Sequence, residues 1–350
     1  MSGNPDLKGN GNNFINPAKK HYHEMQTVYD NATLRTLVNV FISYALRENP
    51  ELTESCGTML AIHGFGGSAS PVDTVIYTAK KMALKQGFDF VTIEPYDVSG
   101  TSREAVPESD FIFMKLARYR YAINEGVKVA LRNGKLNRNY RILLGHCMAS
   151  CAIVYNYLSR GKENGIFDEF LFITPYFVPE LNVLAKRDKI LSQDEDGRKW
   201  KNKKETFIIS KEYVFEGQKY TFSMPLCSVV DEFLEDLPKL NLEGQNLDSE
   251  KYASDLFAKH SGIKNSLRNK MVTCILAGKD KIVNYNASRR FYDCLPIEGK
   301  SIIEVKDAEH DFDNVPEEYE KAIQIILERS KKFIRERTLL AKSLTFDLTI

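Results

Sequence analysis

The chain has 350 residues, 43% of them hydrophobic and 27% charged, and a formal net charge of +1. That length buries a sizeable core and holds one large α/β domain or two smaller ones. So balanced a charge gives no electrostatic case for nucleic acid or an anionic membrane as partner, and no apolar stretch reaches the length of a membrane span.

Residues 1–20 are rich in Gly, Asn and Lys and lack an apolar h-region, so they are expected to form a flexible polar tail and not a signal peptide. The chain would then stay in the cytoplasm, with export by a route that needs no cleaved signal left open. Six cysteines (Cys56, Cys147, Cys151, Cys227, Cys274 and Cys294) lie scattered without a Cys-x-x-Cys pair. Most sit among apolar residues, as reduced thiols in a reducing compartment do. His21 and His23 would suit a metal only if a strand aligned both rings, and no third ligand accompanies them.

From Met25 to Phe41, apolar residues surround the turn-prone Asp30-Asn31, which predicts a β-hairpin. Thr58–Ile62 reads as a strand buried on both faces and runs into the loop His63-Gly64-Phe65-Gly66-Gly67-Ser68. Helical sequence follows to about Gln86, and then a strand over Phe88–Ile93 leads into the loop Glu94–Ser102. Phe111–Arg132 has helical periodicity and stops at Asn133-Gly134. A short apolar run, Arg141–Leu144, ends at Gly145-His146-Cys147-Met148-Ala149, with a helix expected to about Arg160. Phe170–Thr174 is a further strand. This alternation predicts a mostly parallel sheet with helices on both faces.

Between residues 176 and 270 the alternation breaks. Strand-like Thr206–Ile209 and Tyr213–Phe215, the turn Glu216-Gly217 and then Lys219–Phe222 read as a hairpin, and the whole stretch as an inserted cap. Its many Phe, Tyr and Leu residues suggest an apolar ligand. The sheet resumes at Met271–Ala277 and Ser301–Val305, and Pro316–Arg337 reads as a last amphipathic helix. The expected layout is a tail over 1–20, a core over 21–175 and 271–337, a cap over 176–270, and a second tail over 338–350.

The stretch around Cys147 has the form of a nucleophile elbow, a tight strand-to-helix turn that presents one side chain at the sheet edge, with small residues two positions to either side. A thiol attacks carbonyls as its thiolate, so it needs a base. His310 follows the last strand and Asp280 the strand before it. Asp307, Asp311 and Asp313 lie near the same rim as alternative acids. Parallel strands release their loops at one sheet edge, so nucleophile, acid and histidine meet there in that chain order.

With the loop at His63–Ser68, the elbow, Ala277–Val283 and Ala308–Phe312 in sequence, the chain resembles the α/β-hydrolase superfamily over roughly residues 24–335. The resemblance implies Cys147 as nucleophile, His310 as general base and acid, and Asp280 as its orienter. The backbone N–H groups of Phe65 and Met148 would form the oxyanion hole. His63, Gly64 and His146 would border the substrate, with His63 bracing the oxyanion loop. No metal and no cofactor is implied.

Two departures stand out. Cysteine replaces the usual serine, as in dienelactone hydrolases and polyhydroxyalkanoate synthases, and Ala149 takes the place of a glycine. The activity implied is hydrolysis of an ester or thioester, esterase- or thioesterase-like. The alternatives are acyl transfer from the same acyl-enzyme, or a non-catalytic binding protein on the same scaffold. The basic run Arg198–Lys204, beside the single tryptophan, would suit the phosphates of coenzyme A or an acidic acyl carrier protein as substrate carrier.

Overall fold

Every residue of Gly57–Ile62 (β3) and Phe88–Pro95 (β4) is buried, as strands in the middle of a sheet covered on both faces must be. The computed structural model describes residues 17–31, 36–64, 67–71, 73–95, 116–158, 166–177, 208–215, 218–225 and 270–347. The other strands of the main sheet are Glu24–Tyr29 (β1), Thr36–Ser43 (β2), Arg141–His146 (β5), Glu169–Ile173 (β6), Met271–Ala277 (β9) and Gly299–Val305 (β10). Their order is β1-β2-β4-β3-β5-β6-β9-β10. The hairpin of β1 and β2 is antiparallel to its neighbours, and every pair from β4 to β10 is parallel. The C-terminal ends of β3, β5, β6, β9 and β10 therefore open on one edge, which is where sites in open α/β sheets form.

Helices close both faces. On one side Leu116–Arg132 (α3), Met148–Ile153 (α4) and Tyr285–Asp293 (α5) share a core with β2, β5 and β6. A chain of ring contacts, Phe167–Phe170–Phe172–Phe177–Phe291, runs through it at centroid spacings of 5.9, 6.5, 5.0 and 5.0 Å. On the other side Thr74–Lys85 (α2) and Pro316–Asp347 (α6) pack against Met59, Phe90, Leu144 and Ile275. The strands Ile208–Phe215 (β7) and Gln218–Pro225 (β8) pair antiparallel as a separate two-stranded sheet, in agreement with the expected hairpin. The turn at 216–217 and the remainder of 178–269 lie outside the described residues.

Four differences from the expected elements have local causes. Pro17–His21 forms a 3-10 turn with Ala18 fully buried against Phe41 and Ala69, so ordered structure begins before residue 21. Ala45–Glu48 (α1) is a single helical turn inside a polar stretch. The expected layout had no helix at Tyr285–Asp293 (α5); the Asn284 side chain caps it by accepting from Ala287 N at 3.1 Å, and Ser288, Phe291 and Tyr292 form its buried stripe. α6 runs past Arg337 to Asp347, and residues 335–339 are exposed.

One buried charge ties α6 to the sheet. Glu169, fully buried on β6, accepts from Arg329 Nη2 at 2.5 Å, Ser330 Oγ at 2.6 Å and Tyr140 Oη at 3.0 Å. Arg329 also donates to Ser301 Oγ at 2.7 Å and Thr273 Oγ1 at 2.5 Å. One side chain thereby spans β6, β9 and β10.

Candidate active site

β5 ends on Gly145 and His146, and the chain reverses at Cys147 with φ 51° and ψ −120° before α4 begins. A non-glycine residue in that region is strained and is held there by its surroundings. Cys147 N donates to Ile173 O at 3.0 Å, while Cys147 O accepts from Tyr176 N at 3.0 Å and Ser150 N at 3.1 Å. The small flanking residues have steric causes. A Cβ on Gly145 would stand 2.6 Å from Ile153 Cδ1 and 3.1 Å from Ser150 N, so the crossing of strand and helix admits no side chain there.

The loop after β3 lies against Cys147. A Cβ on Gly64 would be 2.7 Å from Cys147 Cβ and 3.6 Å from its Sγ. His63, fully buried, bonds Gly64 O through Nδ1 at 2.7 Å, and its own carbonyl accepts from Tyr119 Oη at 2.8 Å. Two buried carboxylates brace the loop from below. Glu94 accepts from Ala69 N at 2.7 Å, and Asp73 accepts from Ser68 N at 3.1 Å while capping α2 through Ile76 N at 3.0 Å. His63 therefore sits within the loop's own framework. Phe65, expected to supply one oxyanion donor, lies outside the described residues; Met148, expected to supply the other, is the first residue of α4.

The turns after β9 and β10 are stitched together by Gly278 N to Val305 O at 3.0 Å and Lys279 N to Ala308 O at 2.8 Å. They bring His310 Nδ1 to 2.8 Å from Asp280 Oδ2. Asp280 Oδ1 accepts from Ile282 N at 2.8 Å and Val283 N at 2.9 Å, which fixes the carboxylate plane. Of the four acids near the rim, Asp280 is the one that orients this ring. Phe312, buried with φ 58° and stacked on Tyr319 at 4.7 Å, anchors the histidine turn. Nδ1 being taken by Asp280, Nε2 is left for another partner, and Cys147 is close enough to act on the charge of the ring. Burial of the ring opposes its charge, but the negative charge of Cys147 and the bond to Asp280 outweigh it and raise the His310 pKa from 6.5 to about 10.

Comparison with solved structures places the architecture. The chain is similar to Est1E from Butyrivibrio proteoclasticus at 13% identity and a TM-score of 0.51, over 87% of this chain and 98% of that one. It is similar to a soluble variant of monoglyceride lipase from Saccharomyces cerevisiae at 14% identity and a TM-score of 0.52, over 87% and 95%. An esterase from Pyrococcus furiosus matches at 14% and 0.50, over 87% and 92%.

The chain has the α/β-hydrolase fold.

No protein-family model and no curated protein matches the sequence, so the likeness is one of fold. Within this α/β-hydrolase fold the elbow, the acid turn and the histidine turn occupy the C-terminal edge in the order expected. His146 and Asp311 were less legible. The His146 ring packs on that of His310 at 5.2 Å between centroids, and its Nε2 is 3.6 Å from Asp311 Oδ1. Asp311 stood among the alternative acids on the rim; its side chain faces the other histidine. His21 and His23 diverge, His21 towards Tyr77 and His23 onto Tyr44 with Nδ1 accepting from Tyr44 N at 2.9 Å, so the two do not form a metal pair. Cys151 is a buried core thiol, and Cys294 is exposed. The basic run at 198–204 lies outside the described residues, and among the described helices none is long and apolar enough to cross a membrane.

Proposed function

We propose that this chain hydrolyses a carboxylic ester or thioester through a Cys147–His310–Asp280 triad. The observation that carries the reading is the 2.8 Å bond from His310 Nδ1 to Asp280 Oδ2, with the elbow cysteine close enough to favour the charged ring. Asp280 orients the ring so that Nε2 takes the Cys147 proton, giving the thiolate–imidazolium pair that reacts. The thiolate attacks the acyl carbonyl, and the Met148 amide, with that of Phe65, receives the developing oxyanion. His310 passes its Nε2 proton to the departing alcohol or thiol. Water, deprotonated by His310, then opens the acyl-thioester and restores the pair.

Esters and thioesters suit this nucleophile better than amides. A thiolate leaves a tetrahedral intermediate more readily than an amine does, so amide adducts revert. An acyl-coenzyme A or acyl-carrier thioester is the finer form of the proposal, and an apolar acyl chain its expected payload.

Wild type and Cys147→Ala are incubated with short and long acyl esters and acyl-thioesters, with intact-mass spectrometry following any adduct. Wild type is expected to gain one acyl group on Cys147, and Cys147→Ala to lose turnover by at least about a thousandfold. Full turnover in Cys147→Ala, or a wild type that neither acylates nor turns over, sinks the reading. A product ester in the presence of competing alcohol redirects it to acyl transfer.

A further inference from the structure

Three groups of metal-ligand type converge beside the triad. One ring nitrogen of His146, one of His310 and a carboxylate oxygen of Asp311 lie within 4.8 Å of one another. The hydrolytic scheme gives Asp311 no task. Its Oδ1 stands 3.6 Å from His146 Nε2, beyond hydrogen-bond range. Around a tetrahedral zinc with bonds of about 2.0–2.1 Å, neighbouring ligand atoms sit roughly 3.4 Å apart. The pair is thus spaced like two ligands of one ion.

We propose that His146, His310 and Asp311 form an inhibitory Zn²⁺ site whose fourth position is open to water. The binding rests on this geometry alone; the inhibition rests on the triad reading above. Two imidazoles and a carboxylate suit zinc, whereas calcium and magnesium call for an oxygen cage. The His310 Nδ1 to Asp280 Oδ2 bond is the outer-shell support that zinc-bound histidines characteristically have, and it leaves Nε2 to the ion.

The histidines are pre-positioned, with side chains 6% and 8% exposed. Asp311 is 26% exposed, which gives the ion an entry route. On binding, His310 releases its Nε2 proton to solvent, Nδ1 keeps the proton it shares with Asp280, and Nε2 donates its electron pair to the metal. The general base of the proposed triad is then occupied.

The test uses the full chain, stripped with a chelator and titrated with zinc chloride in a calorimeter without substrate. Wild type is expected to bind one ion with Kd tighter than about 10 μM. Asp311→Asn and His146→Ala are each expected to weaken binding by at least about tenfold. Asp311→Asn should keep its zinc-free turnover and thermal midpoint while its zinc inhibition weakens in proportion. No binding in this range, or binding unchanged by Asp311→Asn and His146→Ala, overturns the proposal. Zinc bound through these residues by a protein that turns over no ester would uphold the site and sink the hydrolase reading. Cys147-dependent turnover without zinc binding would do the reverse.

Discussion

His310 is held between a carboxylate and a sulfur, and the sign of its pH response follows from that. Its pKa, raised to about 10, keeps the ring charged through neutral pH and discharges it only as pH climbs through that value. The stabilisation this charge gives the fold is complete below the free-histidine pKa of about 6.5 and fades towards 10. By NMR the His310 ring should titrate well above the free value. Cys147→Ala removes the leading contribution that raises it, and Asp280→Asn removes the next, so each should move the midpoint down. An unmoved midpoint in both variants would mean that the ring feels neither group. Gly64 is equally specific: the 2.7 Å approach of a new Cβ to Cys147 Cβ means Gly64→Ala must displace the nucleophile. Shifts of that order cost about a hundredfold in rate, and kcat measured beside the thermal midpoint separates this from unfolding.

At the scale of elements, the central strands were legible because full burial on both faces leaves uninterrupted apolar runs such as Met59–Ile62 and Leu143-Leu144. The proposed triad could be drawn from the sequence because Cys147, Asp280 and His310 each follow a strand of one parallel sheet. What stayed hidden depends on contacts between distant segments. Glu169 and Arg329, 160 positions apart, carry no local sign of their pairing. Asp311 looked like one acid among several until the fold turned it towards His146. α5 carries only a short stripe, Ser288, Phe291 and Tyr292, and that stripe together with its Asn284 cap is the signal that would have found it. Arg329→Met tests the buried clasp. Leaving Glu169 without its cation should cost about 3–5 kcal/mol in urea unfolding, whereas an exposed pair such as Lys81–Glu320 should contribute under about 1 kcal/mol.

The molecule as a whole is a sheet between two cores that differ in kind. The face under α3, α4 and α5 is rich in aromatic rings, and the face under α2 and α6 is largely aliphatic and alanine-rich. The Arg329 clasp and the packing of Tyr319, Ile323, Ile326 and Leu327 lie in the first half of α6. A chain ending at Arg337 should therefore fold and melt within a few degrees of the full chain. One ending at Glu328 should fail to give a cooperative transition in calorimetry. Comparable midpoints for the two would show that the clasp is dispensable.

β6 and β9 are hydrogen-bonded neighbours, with Glu169 opposite Met271, although about a hundred residues of chain separate them. Closing a long excursion costs only logarithmically more than closing a short one, so the chain can lengthen, shorten or exchange that segment at small energetic expense. Cys147, Asp280 and His310 all follow strands of the sheet that the segment departs from and rejoins. Under the proposed function, variation in residues 178–269 is thus decoupled from variation in the reaction: one stretch of the gene would be free to explore ligands while the other keeps the chemistry. A chain carrying a helical crossover of a dozen residues in that place should keep the raised His310 titration and lose its acyl preference.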